Sequence, residues 1–319
     1  MESFLEERSD PHSTWEASTR QYSPIALVGG EGYLGSHICR ILERERLQYW
    51  VVGKNAAYDG TSPYRSSSPD LREAIDGAKT VVHLATLTTP AIGEKNPLLD
   101  MENIRFTLDL IEAGNAVGIR KIVFSSSGGT IYGDTGGSPA SEESEPRPSC
   151  SYAIAKLASE HYLRLAALHK DISSVVLRVG NLYGGDQRVK GEQGVIGYLL
   201  RKITACEKVI LYGNTIRDYV HIDDVCRAFS LSIFRNMQGQ EIFNISTARG
   251  TSLSDLVAMI SRLCGHEALF RTISRRPFDL QSSILANEKA RKILGWAPSI
   301  SLEEGLARCL ESVNAAIGE

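Results

Sequence analysis

The stretch Ile25-Ala-Leu-Val-Gly-Gly-Glu-Gly-Tyr-Leu-Gly35 decides the fold of this 319-residue chain. Four apolar residues that are typical of a buried strand lead directly into Gly29, Gly32 and Gly35, and a helical pattern begins at about residue 33. The first glycine permits a tight turn, the second lets the backbone approach a pyrophosphate, and the third allows the helix to pack closely. The N-terminus of that helix then stabilises the pyrophosphate. The stretch therefore predicts a dinucleotide site that starts at Gly29.

Apolar, strand-like runs alternate with helical stretches through the first half of the chain. The predicted strands are Ile25 to Val28, Tyr49 to Val52, Thr80 to Leu84, Lys121 to Phe124 and Val175 to Leu177, and the predicted helices cover about 33–47, 98–117 and 151–169. Near-continuous apolar runs separated by helices are typical of a parallel sheet that is covered on both faces. The predicted fold class is therefore α/β, with a Rossmann-like, doubly wound parallel sheet. Beyond Asn181 the pattern becomes irregular, with short strands near 208–211 and 241–245, which favours a smaller substrate-binding unit.

The composition excludes several classes of protein. A net charge of −3 offers no basic field to nucleic acid or to an anionic membrane surface. Six cysteines are scattered without any Cys-x-x-Cys pair, which indicates reduced thiols and no metal site. The sequence shows neither an apolar run of membrane-spanning length nor the apolar core of a signal peptide, so we expect a soluble, cytoplasmic protein. The polar residues 1–22 are interpreted as an N-terminal extension.

Tyr152 and Lys156 lie four residues apart in the predicted helix 151–169 and share one face of it. The ammonium group of Lys156 can favour the phenolate, so a tyrosine whose ordinary pKa is about 10 can act as a base near neutral pH. Such a base beside a nicotinamide removes a hydroxyl proton while a hydride leaves the same carbon. Together with the glycine stretch, the pair predicts NAD(P)-dependent chemistry.

The residues after the second predicted strand leave the form of the cofactor open. A carboxylate at this point would bind the 2′-hydroxyl of the adenosine ribose of NAD, but the chain has Gly53-Lys54-Asn55 there. Lys54 can pair with the 2′-phosphate of NADP, or it can be an ordinary solvated lysine. NAD and NADP therefore both remain candidates.

Several motifs in order make the chain similar to a known family. They are the glycine stretch, His83-Leu-Ala85, Ser125-Ser-Ser-Gly-Gly-Thr-Ile-Tyr-Gly133, Tyr152-x-x-x-Lys156 and Arg217-Asp-Tyr-Val-His-Ile-Asp-Asp224. With these motifs the chain resembles the extended short-chain dehydrogenase/reductases, and most of all the nucleotide-sugar epimerase/dehydratase group that includes the UDP-glucose 4-epimerases. The resemblance runs from about residue 24 to 312.

The resemblance implies a division into domains and an oligomeric state. Residues 23–180 would form the NAD(P)-binding domain, to which about 214–240 return. Residues 181–213 and 241–319 would mainly form a discontinuous C-terminal domain that holds a nucleotide diphosphate sugar. Members of the family typically dimerise through two helices, which here are those near 98–117 and 151–169, so the resemblance implies a homodimer.

The resemblance also implies roles for individual residues. Tyr152 matches the catalytic base, and Lys156 matches the lysine that binds the nicotinamide ribose and tunes that base. The predicted cofactor-binding residues are Gly29, Gly32, Tyr33, Leu34, Gly35, Gly53, Lys54, Asn55, Leu84, Ala85, Thr86, Asn103, Ser125, Tyr152, Lys156 and Val179. The predicted substrate-binding residues are Asn181, Val195, Ile196, Arg217, Arg276 and Asp279, of which the two arginines match those that grip a diphosphate.

The hydroxyl partner of Tyr152 is assigned by its position relative to Tyr132-Gly133. Counted back from that pair, the serine or threonine of the family falls on Gly128, so Ser127 or Thr130 must supply the catalytic hydroxyl. Ser127 is preferred, because it ends a predicted strand that points into the cofactor cleft. The alternative is that the serine run only caps this strand.

Three functions are compatible with these motifs. The 4,6-dehydratases and sugar-acid decarboxylases of the family need acidic groups after the strand that ends at Ser127, whereas this chain has Gly128-Gly129. The leading hypothesis is therefore a nucleotide-sugar epimerase that acts at C4 by transient hydride transfer. The alternatives are an NADPH-dependent 4-ketoreductase of a nucleotide (deoxy)sugar, which the missing carboxylate after the second strand would explain, and, more distantly, a non-catalytic dinucleotide sensor.

Overall fold

The computed structural model describes residues 21–53, 64–65, 70–185, 194–276 and 279–318. Its strands are β1 (Ile25–Val28), β2 (Tyr49–Val52), β3 (Tyr64–Arg65), β4 (Thr80–His83), β5 (Lys121–Ser127), β6 (Ser173–Val179), β7 (Asn181–Tyr183), β8 (Val209–Tyr212), β9 (Ile216–His221), β10 (Gln240–Ile245), β11 (Gly250–Ser252), β12 (Phe270–Ile273) and β13 (Ser282–Ser283). Its α-helices are α1 (Tyr33–Arg44), α2 (Leu71–Ile75), α3 (Pro90–Lys95), α4 (Leu98–Val117), α5 (Gly128–Ile131), α6 (Ser151–His169), α7 (Val195–Thr204), α8 (Ile222–Phe234), α9 (Leu253–Cys264) and α10 (Leu302–Gly318), and a π-helical turn covers Ala290–Leu294.

Seven strands form the main sheet in the order β10-β6-β5-β4-β1-β2-β3, and every neighbouring pair is parallel. The direction in which strands are added reverses between β1 and β4. In an open parallel sheet, a crevice for ligands forms at the carboxyl ends of the strands at this reversal. The loops after β1, β4 and β5 therefore meet at one edge of the sheet, where the predicted site residues are concentrated.

The side chains of β1 alternate between the two faces of this sheet. Ile25 and Leu27 pack against α1 and α8 on one face, whereas Ala26 and Val28 pack against α4 and α6 on the other. Because helices cover both faces, the strand is apolar at every position, as is typical of parallel sheets. This arrangement confirms the predicted α/β class with a doubly wound parallel sheet.

The C-terminal part of the chain contributes a second, smaller core. Helices α7, α9 and α10 pack around β8 and β9 in one apolar cluster. Strand β9 pairs with β7, β11 and β13 in a four-stranded sheet, and β8 pairs with β12 in a separate parallel pair. The smaller C-terminal unit that the sequence pattern predicts is therefore present beside the main sheet.

Two predicted boundaries differ from the structure. Strand β10 pairs with β6 at the edge of the main sheet, although the sequence pattern places residues from 241 onward in the substrate unit. Tyr22, predicted to lie in the extension, is buried: its hydroxyl donates to Oδ1 of Asn236 at 2.9 Å, and Nζ of Lys121 lies 3.5 Å from the centre of its ring. Residues 1–20 lie outside the described residues, so Tyr22 belongs to the folded body and the rest of the extension stays a prediction.

Within the described ranges, no helix combines the length and the apolar character needed to cross a bilayer. In the same part of the chain, no three side chains of histidine, cysteine, aspartate or glutamate converge as metal ligands. All six cysteines are free thiols.

Candidate active site

The glycine loop between β1 and α1 forms a cradle against the loop that follows β4. Gly29 has a φ of +85°, and a Cβ built on it would lie 2.6 Å from the main-chain nitrogen of Ala85. A Cβ on Gly35 would lie 2.5 Å from the Cα of Gly30, so α1 approaches the loop this closely only because a side chain is missing. Gly32 is the N-cap residue of α1, which leaves the N–H groups of the first turn available to an anion. This cradle fits the pyrophosphate of a dinucleotide.

The end of β2 lies directly beside this loop. The main-chain N–H of Gly29 donates to the carbonyl oxygen of Val52 at 2.8 Å, and Gly53 follows immediately. Lys54 and Asn55 lie outside the described residues. The choice between NAD and NADP that depends on Lys54 therefore stays a prediction.

Other predicted cofactor-binding residues bond to a neighbouring segment, pack in the core or are exposed. The hydroxyl of Tyr33 donates to the carbonyl oxygen of Gly184, so this side chain joins the glycine loop to the segment after β7. Leu34 is half-buried against the core and Val179 is buried in it, and contact of either residue with the cofactor stays a prediction. Thr86, in the loop after β4, is exposed.

Ser127, Thr130 and Tyr152 form one chain of hydroxyl groups at the end of β5. The hydroxyl of Thr130 donates to Oγ of Ser127 at 2.9 Å, and Ser127 in turn hydrogen-bonds the phenol oxygen of Tyr152. Ser127 is the last residue of β5, and Tyr152 lies in the first turn of α6. Both hydroxyls that the sequence offers are thus in the same chain, with Ser127 next to Tyr152 and Thr130 behind it.

Lys156 is buried beside Tyr152, one turn further along α6. Its Nζ donates to the carbonyl oxygen of Ser125 at 2.9 Å and lies 5.8 Å from the centre of the Tyr152 ring. Burial lowers the pKa of Lys156 to about 8, while Glu160 and Asp100 act in the opposite direction. The main chain of Ser125, a predicted cofactor-binding residue, therefore orients the ammonium group.

The pKa of Tyr152 moves in the direction opposite to the sequence-based prediction. Burial raises this pKa to about 12, and the hydrogen bond from Ser127 only partly offsets the rise. Lys156 is not among the groups that shift this pKa, and its ammonium group donates to the Ser125 carbonyl. Burial therefore favours the neutral phenol, the form that can give a proton to a substrate oxygen.

Gly128, at the position of the family's serine or threonine, has no room for a side chain. A Cβ built on it would overlap Cδ1 of Leu285 and lie 2.9 Å from the carbonyl oxygen of Arg178. Leu285 is itself held, because its main-chain N–H donates to the buried carboxylate of Asp218 at 2.8 Å. An acidic residue of the kind expected in dehydratases therefore cannot occupy position 128 unless Leu285 moves.

Asn103 organises the loop after β4. Its Oδ1 accepts from the main-chain N–H of Leu87 at 2.8 Å, and its Nδ2 donates to the hydroxyl of Thr88 at 2.8 Å. Thr88 donates in turn to Asp100, which is buried. In this structure the Asn103 amide thus holds the loop that carries Leu84 and Ala85, and contact with the cofactor stays a prediction.

A small cavity of about 10 Å³, room for about one water molecule, lies against Tyr152 and Lys156. Its wall includes a chain of polar groups that runs from His83 Nε2 to Thr107 Oγ1 at 3.1 Å and on to Ser159 Oγ at 3.2 Å. Burial lowers the pKa of His83 to about 3, so the ring is neutral at physiological pH. Thr107 and Ser159 belong to none of the motifs quoted above, and together with His83 they give the catalytic pair an uncharged polar wall.

A buried ion pair that no motif marks lies behind β5. Nη2 of Arg178 donates to Oε2 of Glu160 at 2.6 Å, and Oε1 of Glu160 accepts from the hydroxyl of Ser126 at 2.5 Å. Nη1 of Arg178 donates to the hydroxyl of Tyr132 at 2.7 Å. Glu160 follows Lys156 by four residues, and this spacing is the signal by which it could have been found. The pair ties α6 and β6 to the strand that ends at Ser127.

Arg217, Arg276 and Asp279 come together at one end of the smaller unit. Nε and Nη2 of Arg276 donate to the two carboxylate oxygens of Asp279 at 2.8 and 3.1 Å. Nη2 of Arg217 donates at 2.8 Å to the carbonyl oxygen of Leu280, the residue after Asp279. Two guanidinium groups from separate parts of the chain thus lie in one neighbourhood, and Asp279 is the partner of Arg276.

The predicted substrate-binding residues Asn181, Val195 and Ile196 lie in different surroundings. A Cβ built on Gly129 would lie 3.7 Å from Nδ2 of Asn181, so this amide faces the segment Gly128–Ile131 that follows Ser127. Nδ2 is buried, and the Asn181 side chain also interacts with the buried carboxyl group of Asp218, whose pKa it lowers. Val195 is half-buried, whereas Ile196 is only 2% exposed in the core around α7. The helix turns the Ile196 side chain inward, so any contact of this residue with substrate would come from its main chain, and that contact stays a prediction.

Comparisons with known proteins agree with this geometry. The family model described as NAD dependent epimerase/dehydratase family matches residues 25–246. The chain is 30% identical over 309 residues to dTDP-4-dehydro-6-deoxyglucose reductase of Escherichia coli, covering 91% of this chain and 97% of the reductase. The solved structure of UDP-glucose 4-epimerase from Thermotoga maritima with UDP-glucose is 31% identical with a TM-score of 0.84, covering 92% of this chain and 99% of that chain. The structure of the Thermus thermophilus UDP-glucose 4-epimerase in complex with NAD is 30% identical with a TM-score of 0.83, at the same coverage.

The family match covers more than half of the 319 residues, and the similar proteins span nearly all of the chain. The motifs, the parallel sheet with its glycine cradle and these matches agree on an NAD(P)-dependent enzyme. The chain belongs to the NAD-dependent epimerase/dehydratase family, in the nucleotide-sugar epimerase group of the extended short-chain dehydrogenase/reductases.

Proposed function

We propose that this protein is a nucleotide-sugar epimerase that inverts C4 of the sugar, with Tyr152 as the proton-transferring residue. One observation carries the proposal: the segment Gly128–Ile131, which follows Ser127, is joined directly to the strand that bears Arg217. The hydroxyl of Ser283 donates to the carbonyl oxygen of Gly129 at 3.2 Å, and in the pairing of β13 with β9 Ser283 is the partner of Arg217. A substrate that presents its sugar to Tyr152 and an anionic group to Arg217 spans this junction, and a nucleoside diphosphate sugar has the required charge.

The cofactor and the side chains of the site have different roles in such a reaction. A bound nicotinamide cofactor supplies a reversible hydride acceptor. In its phenolate form, which the hydrogen bond from Ser127 stabilises, Tyr152 takes the proton of the sugar hydroxyl as the carbon is oxidised and so becomes a neutral phenol. The phenol returns this proton to the keto oxygen when the same carbon is reduced from the other face, which restores the phenolate. No net proton is consumed in a turnover.

A 4-ketoreductase is the second candidate, and two specific observations favour it. The Escherichia coli relative named above is a reductase and matches over 97% of its length. In addition, Gly53 stands where an NAD-dependent enzyme commonly has a carboxylate. A reductase consumes one reduced cofactor in each turnover, so the two functions differ in whether added cofactor is needed.

The nucleotide retained by the purified protein tests the proposal. An epimerase regenerates its cofactor, so denaturation should release NAD in stoichiometric amount, and the native protein should convert UDP-glucose without added dinucleotide. Chromatography of the released nucleotide and of the sugar nucleotides measures both. An empty protein that oxidises added NADPH in proportion to a 4-keto sugar nucleotide would reject the epimerase and support the reductase.

We further propose that two copies associate through α4 and α6. These neighbouring helices carry exposed apolar side chains, and Leu98 and Leu168 are 76% and 62% exposed. Met101, Ile154 and Leu165 are also exposed on these helices. Exposed apolar side chains on neighbouring helices are typical of a protein interface, and a twofold axis lets the same surface of two copies cover itself.

Leu165→Asp should convert the dimer into a monomer, because it places a carboxylate inside the proposed apolar interface. Leu269→Asp is the matched control, since Leu269 is 67% exposed but follows α9 in the smaller unit, away from both helices. Light scattering coupled to size-exclusion chromatography measures the mass of each variant. A wild-type protein that is monomeric at micromolar concentration, or an identical mass for both variants, would contradict the proposed interface.

A further inference from the structure

The carboxylate that is missing after β2 has a substitute in the glycine loop. Glu31 lies between Gly30 and Gly32, and its side chain extends over the end of β2. A Cβ built on Gly53 would overlap Cδ of Glu31 and lie 2.7 Å from its Oε2. The carboxyl group of Glu31 therefore fills the space in which a side chain of residue 53 would begin.

The backbone holds the loop in a position that makes this reach possible. The main-chain N–H of Gly29 donates to the carbonyl oxygen of Val52 at 2.8 Å, so residue 31 of the loop lies close to the carboxyl end of β2. In dinucleotide-binding sheets, a carboxylate at this strand end binds the 2′-hydroxyl of the adenosine ribose. Here Gly53 leaves space at the end of β2, and the side chain of Glu31 brings a carboxylate into that space from the glycine loop.

The Glu31 carboxylate has no partner among the described residues. Glu31 is exposed, and no described residue donates a hydrogen bond to it or forms an ion pair with it. A carboxylate whose hydrogen-bonding capacity is unused can take a hydroxyl donor without first breaking another contact.

We propose that Glu31 receives the adenosine ribose and makes NAD the preferred cofactor. A carboxylate accepts a charge-assisted hydrogen bond from a 2′-hydroxyl, and it repels a 2′-phosphate, which has only acceptor oxygens and a negative charge. Lys54, if it pairs with the 2′-phosphate, would favour NADP. The two residues would therefore have opposite effects on the choice of cofactor. The proposal concerns only the adenosine end of the site, and it predicts a preference for NAD over NADP whichever reaction the sugar undergoes.

Competition between the two cofactors tests this assignment without any measurement of activity. Purified protein is incubated with equal, excess NAD and NADP until the bound composition is constant, separated from free nucleotide, denatured and analysed by chromatography. We expect wild type to release mainly NAD. Glu31→Gln should lower the ratio of bound NAD to NADP by at least about tenfold, the size expected for one charge-assisted hydrogen bond.

Glu45→Gln is the matched control, because it removes the same charge from an exposed glutamate at the far end of α1. Its NAD to NADP ratio should equal that of wild type. Glu31→Ala checks that any effect of Glu31→Gln comes from loss of the carboxylate rather than from the new amide. A wild type that releases mainly NADP, or a ratio that changes in Lys54→Gln but not in either Glu31 variant, would overturn the proposal.

Discussion

Tyr152→Phe is expected to lower kcat by about 10²–10⁴, the usual effect of losing a group that transfers a proton in the rate-limiting step. The substitution removes the one oxygen that can exchange a proton with the sugar hydroxyl. It leaves the aromatic ring in place and keeps Lys156 hydrogen-bonded to the Ser125 carbonyl. The fold and the amount of retained dinucleotide should therefore hardly change.

The same helix provides a control for this experiment. Tyr162 is 37% exposed on α6 and lies ten residues beyond Tyr152, so Tyr162→Phe makes the same chemical change away from the cleft. Its kcat should equal that of wild type. Near wild-type turnover in Tyr152→Phe would mean that another group transfers the proton, and the role proposed for Tyr152 would have to be abandoned.

Elements with a strong local pattern could be predicted from the sequence. The bounds of β1 and β2, and of helices α4 and α6, agree with the predicted segments to the residue, because apolar runs and helical periodicity are local properties. The place of β10 could not be predicted in this way. Its apolar residues mark a strand, but only its pairing with β6 shows that it extends the main sheet, and that pairing joins distant parts of the chain.

The candidate site shows the same division between local and tertiary information. Motif spacing identifies Tyr152, Lys156 and Ser127 as one group, and the structure brings them together. The direction of the Tyr152 pKa shift follows from the burial of the phenol, which is not visible in the spacing. In the sequence, Glu31 is only an unspecified position between two glycines of the motif. Its side chain lies over Gly53, which follows a different strand, and this contact is visible only in the structure.

Arg276→Ala and Arg217→Ala should each raise KM for a nucleotide sugar by about 10- to 100-fold. A charge-assisted hydrogen bond is worth about 1.5–3 kcal/mol, and every 1.4 kcal/mol corresponds to about a factor of ten. The diphosphate is remote from the reacting carbon, so its contacts stabilise the ground state and the transition state alike. The loss should therefore appear mainly in KM, with kcat much less affected.

Arg271→Ala is the matched control, because Arg271 is an exposed arginine on β12 in the same unit. Its KM should equal that of wild type. Arg217 also donates to the main-chain carbonyls of Ile216 and Leu280, so the melting temperature of Arg217→Ala must be compared with that of wild type. Among the described residues, the Arg276 guanidinium donates to the Asp279 side chain and to no main-chain carbonyl, which makes Arg276→Ala the clearer test.

Competition by free nucleotides separates a nucleotide sugar from a smaller substrate. If Arg217 and Arg276 hold a diphosphate, UDP or dTDP should compete with the substrate, and Arg276→Ala should weaken that inhibition by the same factor by which it raises KM. The retained dinucleotide should not change, because its pyrophosphate is assigned to the cradle at Gly29 and Gly35. An unphosphorylated substrate offers these guanidinium groups no anion. Failure of both nucleotides to compete, together with an unchanged KM in Arg276→Ala, would therefore contradict the nucleotide-sugar assignment while leaving the dinucleotide site intact.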